Sequence, residues 1–256
     1  MAINKRALSL GELTEFGSLV KAGLKDLEQN VFSQYVLCSR CKDAVAALPS
    51  RGHCVECEKT DDEVSGIKRH LESILSPFAL NRFTLENYRT TTQAQENANE
   101  VAIKYRPDKQ NLFLWGPCGT GKSHIAIALL QEWAVAMRGS VGYERMTELM
   151  RFIRGMRGAE EVDFIESLAA RRLLVIDDLG VGRGTEFMLS VVYEIIEARS
   201  HRGRAGLIIT SNLSPESLSE KFGDDRLSSR ISGLFTVHRM EMEDWRIKSL
   251  SKNLGE

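Results

Sequence analysis

Residues 116 to 123 read Gly-Pro-Cys-Gly-Thr-Gly-Lys-Ser, the residue types and spacing of a phosphate-binding loop. Gly116, Gly119 and Gly121 allow a tight backbone path whose amides turn toward phosphate oxygens, Lys122 reaches the terminal phosphates, and the Ser123 hydroxyl is a ligand for magnesium. Contacts to a nucleoside triphosphate are therefore expected from Gly116, Pro117, Cys118, Gly119, Thr120, Gly121, Lys122, Ser123 and His124. A glycine-rich turn that binds nothing is the bland alternative. Context argues against it, because Leu112-Phe113-Leu114-Trp115 is a buried-strand run just before the loop and a helical pattern from Ile125 to Met137 follows directly.

About fifty residues on, Leu173-Leu174-Val175-Ile176 runs into Asp177-Asp178, a Walker B pattern of buried strand ending in carboxylates. Asp177 is expected to hold magnesium, directly or through water, and Asp178 to orient or deprotonate the attacking water. Many ATPases of this class carry glutamate at the second position, and aspartate is one methylene shorter; capping of the following turn is the other use of two acids here. Leu207-Ile208-Ile209-Thr210-Ser211-Asn212 is a further apolar run ending in small polar side chains. Ligands of open α/β sheets sit at the carboxyl ends of strands, which suits Asn212 as a sensor of the terminal phosphate or the attacking water. Ser211 and Asn212 would otherwise cap the turn before Pro215. Arg226 and Arg230 lie four residues apart, on one face of a helix. Arginine supplied by a neighbouring subunit stabilises charge on the transferring phosphoryl group and makes hydrolysis depend on assembly. Pairing within the chain to Asp224 or Asp225 is the alternative.

Cys38 and Cys41, then Cys54 and Cys57, form two C-x-x-C pairs, and four soft thiolates so spaced suit tetrahedral zinc in a closed structural site. Gly52 gives the intervening loop room to turn, and His53 is read as a bystander. Redox-active pairs and unligated thiols are the alternatives. A closed site has no open coordination position, so the metal would fold a module too small to support its own core, and function would lie on its surface. Arg40, Lys42, Arg51 and Lys59 are diluted by Asp43, Glu56 and Glu58, which favours a protein partner over nucleic acid there.

Bringing these groups to one edge requires a parallel sheet covered by helices on both faces, and from about residue 92 the sequence alternates helical stretches with short apolar runs as such a fold does. Five strands are expected, at 111–115, 141–145, 173–177, 206–210 and 234–240. Ahead of them, residues 12 to 29 have near-helical apolar spacing interrupted by Gly17 and Gly23, and a second helical pattern through Ile67, Leu71, Ile74 and Leu75 stops at Pro77. The domain division expected is 1–75 for an N-terminal module, 76–90 for a linker and 91–256 for the nucleotide-binding domain. Arg145, Arg151, Arg154 and Arg157 alternate with Leu149, Phe152, Ile153 and Met156 as an amphipathic helix with a basic face, a pattern that a plain solvated face also uses. Arg199, Arg202 and Arg204 around His201 read as a surface loop.

The 256 residues are 43% hydrophobic and 27% charged with a formal net charge of −1, an ordinary globular balance in which any nucleic-acid contact must be local. No stretch reaches the roughly 18 uninterrupted apolar residues of a membrane helix, and no basic segment followed by an apolar run opens the chain, so a cytoplasmic location with no membrane partner is expected.

Taken together, Gly116 to Ser123, Leu173 to Asp178, Ile208 to Asn212 and Arg226 to Arg230 resemble the AAA+ ATPases of the DnaC/DnaI helicase-loader and IstB group, over about residues 78 to 250. The lead-in Asn81-Arg82-Phe83-Thr84-Leu85-Glu86-Asn87-Tyr88 is similar to the segment before that family's core, and Glu243-Asp244-Trp245-Arg246 to its short ending. The resemblance implies an AAA+ P-loop fold without a helical lid, since only 26 residues follow Arg230. It implies Arg230 as an arginine finger, Arg226 as an intersubunit helper, Arg246 as a second nucleotide sensor, and an ATP-dependent homo-oligomer. It also implies single-stranded DNA along Arg151, Arg154 and Arg157, and a zinc-ribbon-like or helical N-terminal domain that engages the hexameric replicative helicase. The expected function is ATP-dependent loading of that helicase onto single-stranded DNA, with ATP, magnesium and zinc as cofactors. Two alternatives keep the same core: an IstB-type transposition helper that binds duplex DNA and recruits a transposase, and a nucleotide-gated adaptor with little turnover, for which Asp178 makes room.

Overall fold

Strict alternation along short apolar runs decides the layering. Leu112 and Leu114 point to one face of a sheet and Phe113 to the other, and Leu173 and Val175 are separated from Leu174 and Ile176 in the same way. The structure, a computed structural model, describes residues 36–37, 44–45, 55–180 and 186–241, with side chains over 62–180 and 187–241. The expected helix at 12–29, Cys38, Cys41, Cys54 and the side chain of Cys57, and Arg246 with its neighbours lie outside the described residues. The chain divides into two compact units, Met1–Gly66 and Ile67–Glu256.

In the first unit a two-residue strand β1 (Val36–Leu37) pairs antiparallel with β2 (Ala44–Val45). Helix α1 (Val55–Ile74) follows, and Ser76 then caps α2 (Pro77–Arg82), with proline at the first helical position where its missing amide costs nothing. Thr92 opens α3 (Gln93–Lys104) with a reciprocal capping box to Gln95. The sheet of the second unit comprises β3 (Asn111–Trp115), β4 (Val141–Arg145), β5 (Leu173–Leu179), β6 (Leu207–Ser211) and β7 (Phe235–Arg239). Between them lie α4 (Lys122–Ala134), α5 (Met146–Ile153), α6 (Ala159–Ala170), α7 (Glu186–His201), α8 (Pro215–Phe222) and α9 (Asp225–Leu234). The strand order is β4-β5-β6-β3-β7 and every pairing is parallel. One consequence matters for the site: β6 stands between the strand that feeds the phosphate loop and the strand that ends in two carboxylates.

Helices α3 and α4 cover one face through Ala98, Ala102, Ile125 and Leu129, and α5, α6, α7 and α9 cover the other through Leu149, Ile165, Val192 and Ile231. Residues 76–90 carry Phe83, Leu85 and Tyr88 onto the first of these layers. No helix among the described residues is long and apolar enough to cross a membrane.

Two sequence expectations are corrected. Arg199 is not in a surface loop but is 2% exposed on α7, where its guanidinium donates to the carbonyls of Ala169 (3.2 Å), Arg171 (2.6 Å) and Ala205 (2.5 Å). It caps carbonyls that the end of α6 and the turn before β6 would otherwise bury unpaired, and burial pushes its pKa down to about 10, so it remains a cation at neutral pH. The basic helix expected across Arg145 to Arg157 is shorter: α5 ends at Ile153, Arg154 is its C-cap, and Arg157 lies in the glycine-flanked connection to α6. Gly155 and Gly158 weaken helical continuation, and Gly158 adopts φ +58°.

Candidate functional site

The loop between β3 and α4 is shaped by glycines whose conformations other residues resist. Gly116 has φ +145° and a side chain there would meet the Met240 carbonyl at 2.4 Å, so only glycine lets the loop leave the sheet between β6 and β7. Gly121, at φ +87°, is the N-cap of α4 and supplies no side-chain cap, which leaves the first amides of that helix available to a phosphate. Lys122 is 5% exposed, and its ammonium donates to the carbonyls of Gly116 (2.9 Å) and Pro117 (2.7 Å), holding it within the loop's concavity. Thr120 ties the loop to itself through its hydroxyl on the Pro117 carbonyl at 2.9 Å, while Cys118 is an exposed free thiol.

The carboxylates are placed by a bulge. Ile176 is paired with Ile209, yet the next pairing is Leu179 with Ser211, so Asp177 and Asp178 together oppose the single residue Thr210. Asp178 adopts φ +63°, a conformation that aspartate tolerates better than most side chains, and its amide donates to the Thr210 hydroxyl at 2.9 Å. Asp177 is left 2% exposed with three hydroxyl donors: Ser123 (2.8 Å) and Thr210 (2.5 Å) on Oδ1, and Tyr143 (2.8 Å) on Oδ2. Burial, and after it the Asp177 charge, hold the Tyr143 phenol well above its ordinary pKa, so it stays a donor. A hydroxyl and a carboxylate oxygen side by side are the hard oxygen donors that magnesium takes, so Ser123 and Asp177 fit that ion.

The sequence did not announce Tyr143 or Thr210 as partners of this carboxylate, because nothing local marks a contact across 34 or 33 residues. Nor did it announce the cluster beside α4. His124 packs between the Phe83 and Tyr88 rings, each with its centroid 5.2 Å away, and its Nε2 donates to the Thr84 carbonyl at 2.8 Å. Burial pushes the His124 pKa down, which keeps the ring neutral, and the carbonyl partner selects the Nε2-protonated tautomer. Asn212 is half-buried immediately past β6.

Arg226 and Arg230 share the face of α9 that looks onto Tyr193, their guanidinium carbons 5.7 and 6.0 Å from its ring centre. Both have partners within the chain: Arg226 with Asp224 at 2.7 Å and Arg230 with Glu197 at 2.7 Å. Arg151, Arg154 and Arg157 are exposed, with Phe152 (58% exposed) between the first two, its ring edge-on to Phe164.

Compared with known proteins, the chain matches a family described as IstB-like ATP binding protein over residues 40–251. A protein of Sinorhizobium fredii named as an insertion sequence ATP-binding protein is 28% identical over 195 residues, 72% of this chain and 63% of its own length. The replicative helicase loader DnaC of Escherichia coli is 28% identical over 150 residues, 55% of this chain and 60% of its own. The chain thus spans less than two thirds of either relative. A crystal structure of the DnaC helicase loader superposes with a TM-score of 0.55 at 21% identity, covering 65% of this chain and 100% of that one. AMPPCP-bound DnaA from Aquifex aeolicus gives a TM-score of 0.53 at 25% identity, covering 70% and 56%. The second unit therefore has the AAA+ P-loop fold.

Proposed function

The chain belongs to the IstB-like ATP-binding protein family, and from that membership we propose that it is an ATP-dependent loader of a replicative DNA helicase onto single-stranded DNA. In this reading Gly116 to His124 enclose the triphosphate and Lys122 draws charge from its end. Ser123 and Asp177 would hold magnesium, which would offset phosphate charge when bound. Asp178 orients the attacking water, Asn212 senses the terminal phosphate, and Arg246 contacts nucleotide from the C-terminal segment. Arg230 completes the site of a neighbouring subunit with Arg226 beside it, so turnover follows assembly.

One observation carries the reading: Lys122 and Asp177 are 5% and 2% exposed inside the nucleotide site, whereas Arg226 and Arg230 keep 75% and 43% of their side chains open to a neighbour. The likeness to the DnaC loader supports the choice of partner. Residues 1–75, with Cys38, Cys41, Cys54 and Cys57 binding zinc, would grip the helicase, and Arg151, Arg154 and Arg157 would track the single strand by phosphate contacts. The pairing of β1 with β2 on either side of Cys38 and Cys41, and the start of α1 directly after Cys54, suit two zinc knuckles. A cytoplasmic location follows from these partners.

The test is light scattering on a sizing column, with magnesium-ATP, of the chain mixed with the replicative helicase of its own organism, beside a Cys38→Ser/Cys41→Ser variant. A complex with the natural chain, lost in the variant, is expected. No complex in either case refutes the loader. Metal analysis should find about one zinc per chain, lost in the variant; a metal-free natural chain removes the zinc assignment alone. A second reading, a transposition helper, is favoured by the match to the Sinorhizobium fredii insertion sequence protein over 72% of this chain. ATP-dependent coating of duplex DNA without helicase binding would select it.

A further inference from the structure

We infer that Tyr143 is a positioning residue for the nucleotide site: its hydroxyl locks the plane of the Asp177 carboxylate so that the opposite oxygen stays aimed at Ser123. The inference rests on the reading of Ser123 and Asp177 as the magnesium site and deepens it.

The terminal torsion of an aspartate is broad and soft, so a carboxylate held through one oxygen can still swing. In this protein both oxygens are held, from opposite sides. Oδ1 accepts from Ser123 and Thr210, on α4 and β6, while Oδ2 accepts from Tyr143 on β4 at 2.8 Å. The two sides differ in what they do on loading. Ser123 would also ligate magnesium through its hydroxyl oxygen, so Oδ1, which it shares with Thr210, is the carboxylate oxygen on the ion's side. Oδ2 takes its hydrogen bond from Tyr143 on β4, outside the phosphate loop and α4, so that contact would orient the carboxylate with or without the ion.

Tyr143 is itself well fixed for this task. Its ring packs against the core layer under α4, and β4 pairs with β5 so that Tyr143 stands opposite Val175 and Arg145 opposite Asp177. The Arg145 guanidinium lies beside the same phenol and is paired to Glu148 at 3.3 Å in the first turn of α5. A tyrosine has two side-chain torsions and both are constrained by packing, so the hydroxyl is delivered at little entropic cost.

The experiment compares the full-length chain with Tyr143→Phe, which deletes one oxygen and leaves the ring. A fluorescent ATP analogue is titrated in magnesium and in EDTA, and the gain in affinity that magnesium confers is the readout. For Tyr143→Phe the EDTA affinity should stay within about twofold of the natural chain while the magnesium-dependent gain falls roughly tenfold, the lower end of what outer-shell partners of a metal site contribute. In a Ser123→Ala background the same substitution should cost nothing further, because the two changes act through one ion. An unchanged magnesium gain in Tyr143→Phe overturns the inference, as does an equal loss in magnesium and in EDTA, which would make Tyr143 a packing residue only. Absence of any magnesium gain in the natural chain would instead remove the magnesium reading beneath it. Thermal unfolding monitored in parallel, expected to be unchanged, separates a site defect from a folding defect.

Discussion

Lys122→Ala is expected to abolish measurable ATP binding while the protein stays folded. The ammonium is 5% exposed and already lies against the loop, on the carbonyls of Gly116 and Pro117, so it is in place before nucleotide arrives. Removing one partner of a buried charge pair costs about 3 to 5 kcal/mol, which is a hundred- to several-thousand-fold in affinity. That exceeds what the remaining amides of α4 recover, since a helix N-terminus contributes only about 0.3 to 2 kcal/mol toward an anion. Lys122→Arg should not rescue, because a planar guanidinium does not fit a position shaped for a point charge between two carbonyls. Titration with a fluorescent ATP analogue, beside thermal unfolding, measures this. Binding within tenfold of the natural chain would remove Lys122 from the terminal phosphates.

The second large effect is expected at Arg230. Arg230→Ala should leave ATP affinity unchanged and lower assembly-stimulated hydrolysis roughly a thousand-fold, the scale on which an arginine supplied in trans acts. Its 2.7 Å pairing with Glu197 does not oppose this role. The Arg230 side chain is 43% exposed, and an ion pair with so open a partner contributes little net stability, whereas charge developing on a transferring phosphoryl group is a far stronger and drier partner. Arg226 is the more committed of the two, since its guanidinium meets both Asp224 oxygens while its amide is capped by the same carboxylate. Glu197→Gln, which releases Arg230 without touching the nucleotide, should leave stimulated turnover intact or raise it. Hydrolysis measured across a protein concentration series decides the matter, and stimulated turnover surviving in Arg230→Ala would exclude it as the finger.

The strands and the phosphate loop were legible in the amino-acid sequence because both are written locally. Leu112 to Trp115 and Leu173 to Ile176 are continuous apolar runs, and a chain buried on both faces has little alternative for such runs at that length. The three glycines of residues 116 to 121 declare backbone conformations that other residues resist, and each has a positive φ. Helix ends were less legible. The stretch from Arg145 to Arg157 has the right period for one helix, yet Gly155 and Gly158 let α5 stop at Ile153, so local backbone preference overrode periodicity.

What tertiary structure alone decided is how side chains from distant segments converge. Placing β6 between β3 and β5 brings Thr210 to Asp177, and setting β4 at the edge beside β5 brings Tyr143 to its other oxygen. The bulge at Asp177 and Asp178 depends on the register of two strands, and without it the two-residue period of a strand would send the carboxylates to opposite faces. Arg199 shows the same division from the core side. Its sequence neighbours Arg202 and Arg204 are exposed, and only the packing of α7 against α6 and the turn before β6 supplies the carbonyls that make burying its charge tolerable. Backbone conformation and burial period are fixed by neighbours a few residues away, so the sequence determined the strands, the loop and the carboxylate pair. Hydrogen-bond partners thirty or more residues apart depend on strand order and register, which exist only once the sheet has formed.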